Sequence, residues 1–85
     1  MAACSSARKS LGSAERELAR AARVLRSMQT GSHRVPQSLL AKAGAASAAV
    51  EAARSALNAG SCTRAATLTR KVRDAVNAIY THTGV

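Results

Sequence analysis

Residues 11–25 read LGSAERELARAARVL, and Leu11, Ala14, Leu18, Ala21 and Leu25 recur in that stretch at alternating spacings of three and four. Such spacing lines up on one side of an α-helix as a heptad seam. The seam extends back to Ala7 and Cys4 and forward to Met28. A strand would need apolar residues alternating with a period of two, and no segment does so. Ala, Arg and Leu also favour helix over strand. The same pattern returns in Leu39, Ala43, Ala46, Val50, Ala53 and Leu57, and again in Ala65, Leu68, Val72, Ala75 and Ile79. Three stripes predict an all-α fold, an antiparallel up-down-up three-helix bundle with Ala-rich seams.

Local chemistry sets the boundaries. The polar run 29–35 contains Gly31, suited to end the first helix in a left-handed conformation, and Pro36 suits the first turn of the second. The stretch Asn58-Ala59-Gly60-Ser61 is tighter, with Gly60 just past the end of the second helix and Ser61 as N-cap of the third. Ser5 or Ser6 is the expected first cap, with residues 1–4 partly frayed. The helices are therefore expected near 6–29, 36–58 and 61–81, in one domain of residues 1–85. The first two are nearly equal in length and are expected to pack along their whole extent. Small seam residues let axes approach closely, so the bundle should be slim and without a pocket.

Composition limits what such a bundle can hold. Of the hydrophobic residues, which make up 47% of the chain, 21 are alanine, and there is no Phe or Trp. The core must be thin, and a domain of this size is marginally stable without a staple. No run approaches the ~20 apolar residues of a membrane helix. No apolar signal core follows Met1 either, and the reading of Met1 as a start joined to a mature chain, with small residues Ala2-Ala3 after it, fits export.

Cys4 and Cys62 lie 58 positions apart, but an up-down-up bundle brings the start of the first helix and the start of the third to the same end. A disulfide is expected there, stabilising by about 4 kcal/mol through loop closure. It places the protein in an oxidising compartment, periplasmic or secreted. Ala2-Ala3-Cys4-Ser5-Ser6 also resembles the small-small-Cys end of a bacterial lipoprotein signal, which would make Cys4 an acylation site and leave Cys62 unpaired.

Catalytic and metal chemistry find no support in the residue pattern. Four ligands for structural zinc would have to be Cys4, Cys62, His33 and His82, yet the bundle sets the histidines roughly 30 Å from the cysteines. Two histidines at that far end are expected as solvated residues, with a pH-sensitive pair as the sharper reading. The acids are Glu15, Glu17, Glu51 and Asp74. Glu17 with Arg20, Glu51 with Arg54, and Arg70 with Asp74 sit at helical neighbour spacings, leaving Glu15 without a partner. Gly-rich phosphate loops, nucleophile elbows and carboxylate clusters are missing. A non-enzymatic protein without catalytic residues, metal or cofactor is expected.

Charge carries the functional signal. Ten Arg and three Lys against four acids give a net +9, which attracts anionic macromolecules or acidic proteins. Lys9, Arg16, Arg20 and Arg23 form one stripe on the outside of the first helix. As a helix-turn-helix, the second connection has Ala56 four before Gly60 but then Ala66 and Thr69 where larger apolar residues belong. Tyr80 is the only aromatic residue, so base stacking has little to use. Nucleic acid is thus a partner only through its phosphates, without sequence readout, and an intracellular phosphate-binding protein is the alternative. The second helix carries a further small-residue seam, Ala41, Ala45, Ala48 and Ala52, continued by Ser55 and Ala59. Contact with two neighbouring helices would explain it, and otherwise it is a surface for a homodimer or a partner helix.

Overall fold

A computed structural model describes residues 4–31 and 34–84. It contains α1 (Ser5–Thr30), α2 (Gln37–Asn58) and α3 (Cys62–Thr83), packed as a rod of 50 × 18 × 17 Å. No strand occurs among the described residues. A Cys4–Cys62 disulfide, with Cα atoms 5.1 Å apart, joins the starts of α1 and α3. Those two helices therefore run the same way, and α2 runs antiparallel to both. With the Cys4 thiol in the bridge, no thiol is left there for acylation.

The core follows the seams. Leu11, Ala14, Leu18, Ala21 and Leu25 of α1 are all buried, as are Leu39, Ala46, Val50, Ala53 and Leu57 of α2, with Ala56 added. On α3 the deepest residues are Ala65, Thr69, Val72, Val76 and Ile79, while Leu68 and Ala75 are only partly covered. Two overlapping stripes thus make α3 wide. The hydroxyl of Thr69 donates to the Ala65 carbonyl at 2.8 Å, which lets a polar side chain enter the core without an unsatisfied group.

That width decides the packing, and it differs from the expectation. α3 makes the two larger interfaces, whereas α1 and α2 share the smallest of the three. α1 and α2 still approach each other from Arg8 and Leu57 through Glu15 and Arg54 to the groove shared by Ala22 and Ser47, over a smaller interface than either makes with α3. The bundle is also not free of recesses. Alanine seams leave valleys between helices, and an open groove lies in each of the α1–α3, α2–α3 and α1–α2 valleys.

The ends show how the chain is held. Helix α1 starts at Ser5 with Cys4 as its cap, in a left-handed conformation (φ 64) and without a side-chain cap bond, so neither Ser5 nor Ser6 is the cap. The disulfide fixes where the chain enters, and the left-handed conformation costs a non-glycine residue roughly 1 kcal/mol. Met1 to Ala3 lie outside the described residues, and Cys4 is tethered. Gly31 caps α1 in an extended rather than left-handed conformation; the Thr30 hydroxyl donates to the Arg26 and Ser27 carbonyls instead. Pro36 is the N-cap of α2, one residue earlier than the first turn. Gly60 behaves as expected. With φ 79, it lets its own N–H reach the Leu57 carbonyl and that of Ser61 reach Ala56, closing α2 in a Schellman turn. Ser61 is the N-cap of α3, without a side-chain bond.

Candidate anion-binding face

Because the α1 seam faces inward over its whole length, the opposite side of the helix is left to water. Lys9, Arg16, Arg20 and Arg23 are all exposed there. They span roughly 21 Å at the helical rise. No ion pair engages any of them among the described residues. Glu17, the expected partner of Arg20, is not within ion-pair distance, and neither are Arg70 and Asp74.

The carboxylate without a sequence neighbour is the one that the fold uses. Glu15 takes a two-pronged contact from Arg54 across the α1–α2 valley, Nε donating to Oε1 at 3.1 Å and Nη2 contacting Oε2. Arg54 also meets Glu51 at 3.6 Å, as its spacing suggests. The hydrogen bond and charge of Glu15 raise the Arg54 pKa further. Helical spacing along one chain segment could not reveal this pair, since it joins positions 39 apart. Arg8, on the α2 side of α1, donates to the Leu57 carbonyl at 3.5 Å, where a cation suits the negative end of α2. Arg8 and Arg54, the cations that reach across between α1 and α2, are thus occupied with the bundle, and the outward stripe is not.

Electrostatics at the disulfide end add to this asymmetry. The first turns of α1 and α3 contain no acidic residue, and both helices present their positive dipole ends there. At the opposite end His82 is exposed, while His33 lies outside the described residues, so the histidine-pair reading falls on a residue the structure does not describe. Among the described residues, no three His, Cys, Asp or Glu side chains gather as metal ligands would.

Helix α2 shows the opposite surface. Ala41, Ala45 and Ala48 are exposed and Ala52 is half-buried, with Ser55 and Ala59 again exposed. Contact with two helices therefore does not account for the second seam, because α2 meets both α1 and α3 and still leaves Ala41, Ala45 and Ala48 exposed. Gly44 sits on the same outward side, and a Cβ placed on it would meet nothing within 4 Å. Among the described residues, no helix is long and apolar enough to cross a membrane. No protein-family model, curated protein or solved structure matches the chain.

Proposed function

We propose that the protein is a small, exported, non-enzymatic interaction module whose α1 face holds an anionic partner, either a cell-envelope component or an acidic protein. The observation that carries this reading is the unpaired, solvent-facing stripe of Lys9, Arg16, Arg20 and Arg23. No ion pair with the bundle engages it among the described residues. Like charges at spacings of three and four along a helix destabilise it by about 0.2–0.5 kcal/mol per pair, so the stripe works against a core that is already thin. An anionic partner turns that repulsion into attraction. The disulfide supports an oxidising setting, and within it we assign the periplasm or the extracellular space.

The test is a binding panel of heparin, duplex DNA and anionic vesicles at two ionic strengths. It compares the native chain with a variant carrying Lys9→Gln, Arg16→Gln, Arg20→Gln and Arg23→Gln. The native chain should bind at low salt and the variant should lose most of that binding with its helicity retained, since Gln is nearly as good a helix former as Arg. Binding confined to DNA would favour the intracellular, phosphate-tracking alternative.

A second reading rests on a separate observation, the exposed small face of α2 with Gly44 in open space. A glycine in an exposed helix interior costs about 1 kcal/mol relative to alanine, and close approach of a second backbone would compensate for it. On this reading the chain forms a homodimer through Ala41, Ala45, Ala48 and Ala52. Sedimentation equilibrium should then report a dimer that Ala48→Arg dissociates.

A further inference from the structure

The three grooves differ in charge. The α2–α3 groove sets Lys42 and Lys71 beside Asp74. The α1–α2 groove holds Glu15 and Glu51. The α1–α3 groove, at the disulfide end, has a volume of about 460 Å³ and carries Arg70 and Arg73 on its α3 wall with no carboxylate in its lining. Asp74, four positions from Arg70, belongs to the α2–α3 groove instead and makes no ion pair with it. Both arginines therefore line the α1–α3 groove with no ion pair among the described residues.

The remaining lining suits an anion with a body attached. Ser6 and Ser10 put hydroxyls on the α1 wall, and neither engages in a protein hydrogen bond among the described residues. Ala7, Ala66 and the disulfide supply an apolar floor. Arg70 and Arg73 are three positions apart, so they are neighbours on the helix surface and can converge on one group. A guanidinium matches phosphate oxygens through paired N–H donors. Two such charges call for a dianion. A phosphate monoester carries about −1.5 to −2 at neutral pH, whereas a diester or a carboxylate offers a single charge. The groove is also within the range of ligand pockets, roughly 300–1,000 Å³, so it has room for what the phosphate is attached to.

We propose that the α1–α3 groove binds a phosphate monoester, carried on a sugar or on a lipid headgroup, through Arg70 and Arg73 with help from Ser6 and Ser10. The site uses none of the α1 stripe residues, and it rests on the reading of the chain as an anion-binding module.

Glucose 6-phosphate, titrated into the full chain and followed by amide NMR shifts, tests the groove directly. Saturable shifts should map to residues 6–10 and 62–73. The Arg70→Gln/Arg73→Gln variant should weaken binding at least tenfold, while its heparin binding stays within threefold of native. Replacing both with Lys retains the charge but not the paired donors, and should fall between the two; this variant serves should the Gln pair not fold. Vesicles containing phosphatidic acid, a monoester, are compared with phosphatidylglycerol, a diester. Preference for phosphatidic acid without glucose 6-phosphate binding makes the bearer a lipid, and binding of both makes the phosphate sufficient. If the native chain shows neither a saturable shift nor that preference, or if the Gln and Lys variants both respond as native, the proposal is overturned. Failure of the stripe reading looks different: the quadruple α1 variant would then keep its heparin binding, whatever the groove does.

Discussion

The outward faces of α1 and α2 could hardly differ more, although their inward faces are built alike. Both helices turn an alternation of Leu and Ala toward the core. Outside, α1 presents Lys9, Arg16, Arg20 and Arg23, and α2 presents Ala41, Gly44, Ala45 and Ala48. The need to pack against α3 explains the likeness. It cannot explain the difference, because neither outward face touches another helix. What separates the two surfaces is therefore the part of the sequence that folding leaves free, and function is to be sought there.

The largest expected effect comes from cutting the tie that holds the charged helix to the rest. Replacing Cys4 and Cys62 with Ser should lower stability by about 4 kcal/mol, measured by urea unfolding. Hydrogen exchange on the same variant should show α1 losing protection before the α2–α3 hairpin, since α1 carries the self-repelling stripe and shares little surface with α2. Equal loss across all three helices would mean that the seams alone hold α1. Next comes Ile79→Ala, which empties a fully buried position on the central helix; it should cost roughly 3 kcal/mol and loosen both outer helices together. A smaller change, of opposite sign, is expected on the neutral face. Gly44→Ala meets open space, so it should stabilise the chain by about 1 kcal/mol in thermal unfolding at low concentration. Smallest is Arg54→Gln. It removes the exposed bridge to Glu15 between the two unlike helices, and its effect on unfolding should be barely resolved and vanish in high salt.

These experiments also mark how far the sequence could be read. All five buried α1 residues and the Gly60 turn were legible, because heptad spacing and positive-φ glycine are local signals. The disulfide followed from them, once topology placed Cys4 and Cys62 at one end. On α3 the spacing Ala65, Thr69, Val72, Val76, Ile79 is as regular as the seam through Leu68 and Ala75, and a threonine in it disguised the deeper stripe. Missing that stripe gave the wide helix role to α2 and hid the exposure of its alanines. Glu15 and Arg54 stayed invisible as a pair, since they sit 39 positions apart on two helices and meet only across the packed α1–α2 valley. The groove flanked by Arg70 and Arg73 was hidden for a similar reason: helical spacing paired Arg70 with Asp74, and only the packed bundle assigns them to different valleys.

The central claim, that the α1 stripe acts through charge, is tested most directly by the salt dependence of binding to a polyanion. Log affinity for duplex DNA or heparin is measured against log salt for the native chain and for the quadruple Gln variant. For DNA the slope should become shallower by ~0.9 for each phosphate contact removed, with circular dichroism unchanged and affinity at low salt sharply reduced. Equal affinities and equal slopes for the two proteins would contradict the account and leave Lys9, Arg16, Arg20 and Arg23 as solvated surface.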